Sequence, residues 1–146
     1  MKPLNEYGLL NDDEWEYLPW IDHDTRPPFV FRDYIRERLS PFFIVEHHPM
    51  AVSILLRISD NYKADVFKSC GLTGSSENWE RLARLIIPVY ESENSGIDMF
   101  HFDSDEDIFC IYSEYVDNVI KFVATYLNHR VCKNDEVLKN YLIKIN

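Results

Sequence analysis

Three cysteines, Cys70, Cys110 and Cys132, are all that this chain of 146 residues contains, and no two of them stand as a C-x-x-C pair. An odd, widely spaced set supports neither a disulfide framework nor a zinc knuckle, and it fits a reducing compartment. Cations are also in short supply, with 15 Lys and Arg against 25 Asp and Glu and a formal net charge of −10. Binding a phosphate backbone needs clustered positive charge, so nucleic acid is not an expected partner. No apolar run approaches transmembrane length. The opening stretch MKPLNEYGLLNDDEWEY lacks the apolar core of a signal peptide. The expectation is therefore a soluble cytoplasmic protein with no membrane partner. Also missing are a G-x-S-x-G elbow, a P-loop, a dinucleotide fingerprint, internal repeats and low-complexity segments.

What is present is a globular composition, 46% hydrophobic and 14% aromatic, enough to build one core without staples. Residues 1–40 hold two of the three tryptophans, Trp15 and Trp20, and four of the seven prolines, Pro3, Pro19, Pro27 and Pro28. Asn11 with Asp12, Asp13 and Glu14 suits the cap and first turn of a short helix that Pro19 ends. Phe31, Ile35 and Leu39 recur every fourth residue, a weak helical signal. So many large aromatics read as an extension packed on a main domain of residues 41–146.

Within that domain, Phe42 to His47 and Val52 to Ile58 are β-prone runs around a His48-Pro49-Met50 turn, a first hairpin. Val52, Ile54, Leu56 and Ile58 share one face. After the loop GLTGSSEN, Trp79, Leu82, Ala83 and Ile86 form one helical stripe, with Ser76 or Asn78 as cap and Pro88 near its end. Ile97 to Phe102 and Ile108 to Ser113 make a second hairpin. A helix from about Tyr115 to Val131 carries Asp117, Lys121, Thr125 and Asn128 as one narrow polar stripe and must be covered on most of its circumference. Asn134 caps a last helix with Leu138, Tyr141, Leu142 and Ile145 inward. The expected fold class is α+β, an antiparallel sheet of two β-hairpins with helices packed on it in the order ββαββαα.

Four acids lie between Asp103 and Asp107. Asp103, Asp105 and Asp107 have the alternate spacing of a calcium loop, and Glu114 stands at its closing position. However, Ile108 occupies the position where the loop's sharp turn requires glycine, and strand-like runs flank both sides. The pentad is therefore expected to be a hairpin turn whose like charges need solvent or a cationic partner. His47 and His48 are neighbours on a strand, where side chains alternate between faces, so the two cannot ligate one ion. His23-Asp24 resembles the dipeptide of metal phosphohydrolases, which need further histidines, and the chain has five in all. Cys110 alternates with Ile108 and Tyr112 in a strand and reads as a buried, inert thiol. Trp79 reads as a core anchor. No cofactor, metal or catalytic group is expected.

The stretches FFIVEHHPMAVSILLRISDNYKADVF, GLTGSSENWERLARLII and FDSDEDIFCIYSE resemble the Immunity protein 51 family of bacterial polymorphic-toxin systems. The resemblance spans about residues 41 to 132, and FCIYS and the Asn-Trp helix start are its most specific parts. Its motif positions are Asp60, Tyr62, Gly74, Asn78, Trp79, Phe109, Cys110, Tyr112 and Ser113, whose roles read as structural. Ser-Ser-Glu-Asn replaces the family's usual Gly-Tyr-Asp before Trp79, and Pro49 stands where glycine is common. The resemblance implies a non-enzymatic protein that binds and neutralises a cognate toxin domain in the producing cell. Immunity proteins that block nucleases commonly present acidic surfaces to a basic active-site cleft, so the resemblance makes Asp103, Asp105, Glu106 and Asp107 the candidate toxin-binding surface. Two other readings stay open, a binding or regulatory domain without a toxin and a small hydrolase using His47 or His48 with Asp103. Calorimetric titration with millimolar calcium is expected to give no saturable heat, whereas a stoichiometric isotherm would restore the calcium loop.

Overall fold

The computed structural model describes residues 36–47, 51–94, 100–113 and 116–146. The expectations for residues 1–35, the 48–50 turn, residues 97–99, Glu114 and the side chains of His47 and Asp117 lie outside them. After a helical turn at 36–39 come β1 (Phe43–His47), β2 (Ala51–Arg57), a 3₁₀ turn (Ile58–Asp60), α1 (Ala64–Ser69) and α2 (Ser76–Glu93). There follow β3 (His101–Phe102), β4 (Ile108–Ser113), α3 (Val116–Lys121), a π-helical continuation (Phe122–Cys132) and α4 (Asp135–Ile145). The sheet is antiparallel in the order β1-β2-β4-β3, so two hairpins are joined through their later strands. This is the expected α+β arrangement, with the short helix α1 added.

The alternating pattern builds the core directly. Val52, Ile54 and Leu56 are buried beside their partners Ser113, Ile111 and Phe109, and the helices lie on that face. β2 stops at Arg57, one residue before the expected Ile58, where the chain turns into the 3₁₀ segment. Asn61 and Lys63 then both take left-handed φ of 56°, a conformation that asparagine tolerates well.

Two details of the helices differ from expectation. Ser75, rather than Ser76 or Asn78, caps α2, and Asn78 serves as the third helical residue of a reciprocal capping box. Pro88 lies inside α2, which continues to Glu93. Proline removes the bond to the carbonyl of Arg84, and both residues are exposed.

The polar stripe on the long helix also breaks. Lys121 and Thr125 are half-buried, but Asn128 is fully buried. Positions spaced four, four and three apart share a face only at the α-helical period. Beyond Lys121 the chain bonds five residues back, as in Lys133 N–H to the Asn128 carbonyl at 2.9 Å, and that wider turn rotates Asn128 inward. There its Oδ1 accepts from the Tyr62 hydroxyl at 2.6 Å. Its Nδ2 faces the carbonyls of Arg38, Ser40 and Leu39 at 2.9, 3.2 and 3.4 Å, the C-terminal end of the 36–39 turn. Asn134 caps α4 as expected, accepting from Glu136 and Val137 N–H.

Trp79 sits at the centre of an aromatic cluster. Its ring centroid is 4.9 Å from Phe67 and 5.7 Å from Phe42, and the Tyr62 ring stacks on it at 6.0 Å with 8° between planes. At 1% exposure it is an anchor of the core. Trp79→Ala is expected to cost about 3–5 kcal/mol of stability in denaturant unfolding. Tyr62→Phe is expected to cost about 1–3 kcal/mol, since it leaves the Asn128 oxygen buried without its donor. Near-wild-type midpoints for both variants would contradict this account.

Candidate partner-binding surface

The acidic pentad connects β3 to β4. Asp103 N–H still donates to the Cys110 carbonyl at 3.1 Å, and Asp105 N–H to that of Ile108 at 2.9 Å. Between them the side chains complete the turn. Ser104 Oγ accepts from Cys110 N–H at 2.9 Å, standing in for a backbone acceptor. Asp105 Oδ1 accepts from the N–H groups of Asp107 and Ile108 at 2.8 and 2.9 Å, the local bonding that favours Asp in turns. The four acids therefore divide by task. Asp103, Glu106 and Asp107 are exposed, and Asp105 is exposed as well while its carboxylate also closes the turn.

The turn is held on two sides. Ser76 Oγ, in the first turn of α2, donates to the Asp105 carbonyl at 2.6 Å. Ile58 N–H donates to the Asp107 carbonyl at 2.9 Å, joining the 3₁₀ segment to the same loop. Exposed Asp60 and Glu77 thus lie on the elements that hold the pentad. One end of the molecule gathers acids from three segments that are distant in sequence. Arg81 pairs with Glu77 at 3.1 Å, an exposed i,i+4 contact of little energetic weight.

Most of the positions that carry the sequence resemblance lie in the core or in the loop before α2, while Asp60 belongs to the acidic end itself. Gly74 holds a left-handed φ of +79°, which glycine adopts without strain. Asn78 Oδ1 accepts from Gly74 N–H at 3.0 Å and Ser75 N–H at 3.3 Å, fixing the loop that leads into α2. Tyr62, Trp79 and Phe109 form the aromatic core, and Ser113 is buried opposite Val52. Asp60 is the exposed member of the set. Cys110 is buried, and burial raises its thiol pKa. Tyr112 is half-buried beside the His101 ring at 5.1 Å.

The sheet order separates the residues of the suggested hydrolase. His47 ends β1 on one edge, and Asp103 follows β3 on the other, with β2 and β4 between. Three inter-strand spacings put their backbones at least ~14 Å apart, beyond reach for a shared proton. Among the described residues, no group of three or more His, Cys, Asp or Glu converges as a metal site. No described helix is long and apolar enough to cross a membrane.

A second polar cluster, which the sequence did not announce, ties the end of α2 to the π segment. Tyr126 OH donates to Glu93 Oε1 at 2.9 Å and accepts from Asn94 Nδ2 at 2.9 Å. Lys121 Nζ donates to Asn94 Oδ1 at 2.8 Å, and Arg130 Nη1 to Glu93 at 3.1 Å. The bonds from Tyr126 and then Arg130 lower the Glu93 pKa. The contribution is present above the ordinary carboxylate pKa and is lost as pH falls through the lowered one.

A model of the Immunity protein 51 family matches residues 42–146. Neither the curated proteins nor the solved structures gave a match.

The turn chemistry separates charge from structure at Asp105. Asp105→Asn keeps an oxygen acceptor and is expected to melt close to the wild type, whereas Asp105→Ala loses the closing bonds at a cost of about 0.5–2 kcal/mol. Equal melting of the two variants would show that the side chain does not hold the turn.

Proposed function

Because the chain belongs to the Immunity protein 51 family, we propose that it binds a cognate toxin protein in the cytoplasm of the producing cell and neutralises it without catalysis. The observation that carries this reading is the family match, which covers almost all of the described structure. Occlusion, rather than turnover, agrees with the wide separation of His47 from Asp103 across the sheet.

The acidic end, with Asp103, Asp105, Glu106 and Asp107 at its tip, is the proposed docking surface. A net charge of −10 attracts a basic partner, and the local field of the turn acts over about one Debye length, ~8 Å at physiological salt. The turn is also fixed in place by Ser76 and Ile58, so its charges meet a partner without first being ordered. Rim charges act mainly on the association rate, whereas a desolvated charge pair acts on dissociation.

The first test is co-purification with the product of a neighbouring toxin gene, and failure to form any complex would sink the immunity reading. The second replaces the charges without opening the turn, in the combined variant Asp103→Asn, Asp105→Asn, Glu106→Gln, Asp107→Asn. It is expected to fold normally and to associate more slowly, while the wild-type rate falls as salt rises. Wild-type association at low salt, with full protection of cells, would place the binding face elsewhere.

A further inference from the structure

The contact between Ser76 and the acidic turn completes neither of the two elements it joins. The start of α2 is capped without it. Ser75 Oγ accepts from Asn78 N–H at 3.2 Å, and Asn78 Oδ1 accepts in return from Ser75 N–H, so the reciprocal box belongs to that pair. Ser76 is the first residue inside the helix, and among the described residues its hydroxyl bonds nothing in α2.

The turn is closed without it as well. Asp105 Oδ1 accepts from the N–H groups of Asp107 and Ile108, and Asp105 N–H donates to the Ile108 carbonyl. The bond from Ile58 N–H to the Asp107 carbonyl extends the β2–β4 ladder past the Arg57–Ile108 pair. What the 2.6 Å bond from Ser76 Oγ to the Asp105 carbonyl adds is a tether between turn and helix, made across 29 positions of sequence.

That tether acts against the local charge. The residue after Ser76 is exposed Glu77, so the bond holds the acids of the turn beside the acid of another element. Exposed Asp60 stands on the 3₁₀ segment at the other flank. Like charges brought together repel. The exposed Arg81–Glu77 pair and the positive end of the α2 dipole offset part of this. Repulsion alone would swing the turn away from α2, and the tethered arrangement suits a cationic surface that meets both elements at once.

We propose that Ser76 is a positioning residue of the docking surface, whose hydroxyl holds the turn in the orientation in which its acids and Glu77 engage one basic face of the toxin. The inference rests on the immunity reading and on the acidic end as the binding face. It gives Ser76 a task distinct from that of the carboxylates. The charges draw the partner in and govern the association rate, whereas uncharged Ser76 governs how long the docked complex lasts, because a turn already in place need not be ordered on binding.

Ser76→Ala in the full chain separates the two tasks. In a complex with the toxin of the neighbouring gene, the variant is expected to dissociate about fivefold faster, the scale of one neutral hydrogen bond. Its association rate and salt dependence should stay those of the wild type. Ser76→Thr, which keeps the hydroxyl, should restore slow dissociation. Nuclear relaxation of the free protein reads the same tether without a partner: the amides of residues 103–107 should gain nanosecond motion in Ser76→Ala and not in Ser76→Thr. Wild-type dissociation in Ser76→Ala, a slowed association in its place, or unchanged relaxation of those amides would overturn the proposal. A wild-type chain that forms no complex sinks the immunity reading and this role with it, whereas a stable complex indifferent to both variants removes the role of Ser76 alone.

Discussion

The hydrogen bond from the Tyr62 hydroxyl to Asn128 joins the aromatic core to the π segment and, through it, to the turn that leads into β1. The Tyr62 ring stacks on Trp79, so one end of the residue belongs to the aromatic core, while its hydroxyl reaches a fully buried amide in the π segment. That amide in turn holds the carbonyls at 38–40 that end the turn leading into β1. A buried asparagine is tolerable only when its donors and acceptor are matched, and here Tyr62 serves the oxygen while the 38–40 carbonyls serve the nitrogen. Burial also raises the Tyr62 pKa, which keeps the phenol protonated and able to donate. Left-handed conformations at Asn61 and Lys63 flank Tyr62 on both sides. The tight path around Tyr62 aims its ring and its hydroxyl at two separate targets, and Lys63 adds a bond to Asp135 at 3.0 Å.

From this frame the acidic end follows by short steps. The aromatic core fixes α2, whose capped start holds the Asp105 carbonyl through Ser76. The sheet fixes Ile58, which holds the Asp107 carbonyl. The loop that carries the charges is thereby locked at both flanks, while its carboxylates face solvent. Family membership points to a protein partner, and the physical requirement for such a partner is a presented surface rather than a reactive group.

Much of this was legible in the sequence. Period-two alternation in Val52, Ile54 and Leu56 marked a strand with one dry face, and the Trp79, Leu82, Ala83, Ile86 stripe marked α2. The glycine test at Ile108 turned the pentad from a metal loop into a turn. What was not legible depended on contacts distant in sequence or on departures from standard periods. Asn128 read as solvent-facing because the stripe was projected on an α-helix, and no local signal announces the wider π turn. Pro88 suggested an end to α2, but the helix runs through it to Glu93, at a position where Arg84 and Pro88 are both exposed. The residues α1 uses are too few to show a period. Ser75 and Ser76 are adjacent and alike, so only the geometry says which caps the helix and which reaches the pentad. The docking of the pentad by Ser76 and Ile58 is likewise a tertiary fact.

The placement of the acids at a sheet margin has a further consequence. β3 has two residues and runs directly into the charged turn, so this margin of the sheet offers little unpaired backbone to a neighbouring chain. Short strands and charge are the usual means by which a sheet avoids templating another strand. A concentrated solution of this protein would thus carry a built-in brake against end-on stacking at that margin, whether or not a partner ever arrives. The same carboxylates that favour a basic visitor keep identical copies at a distance.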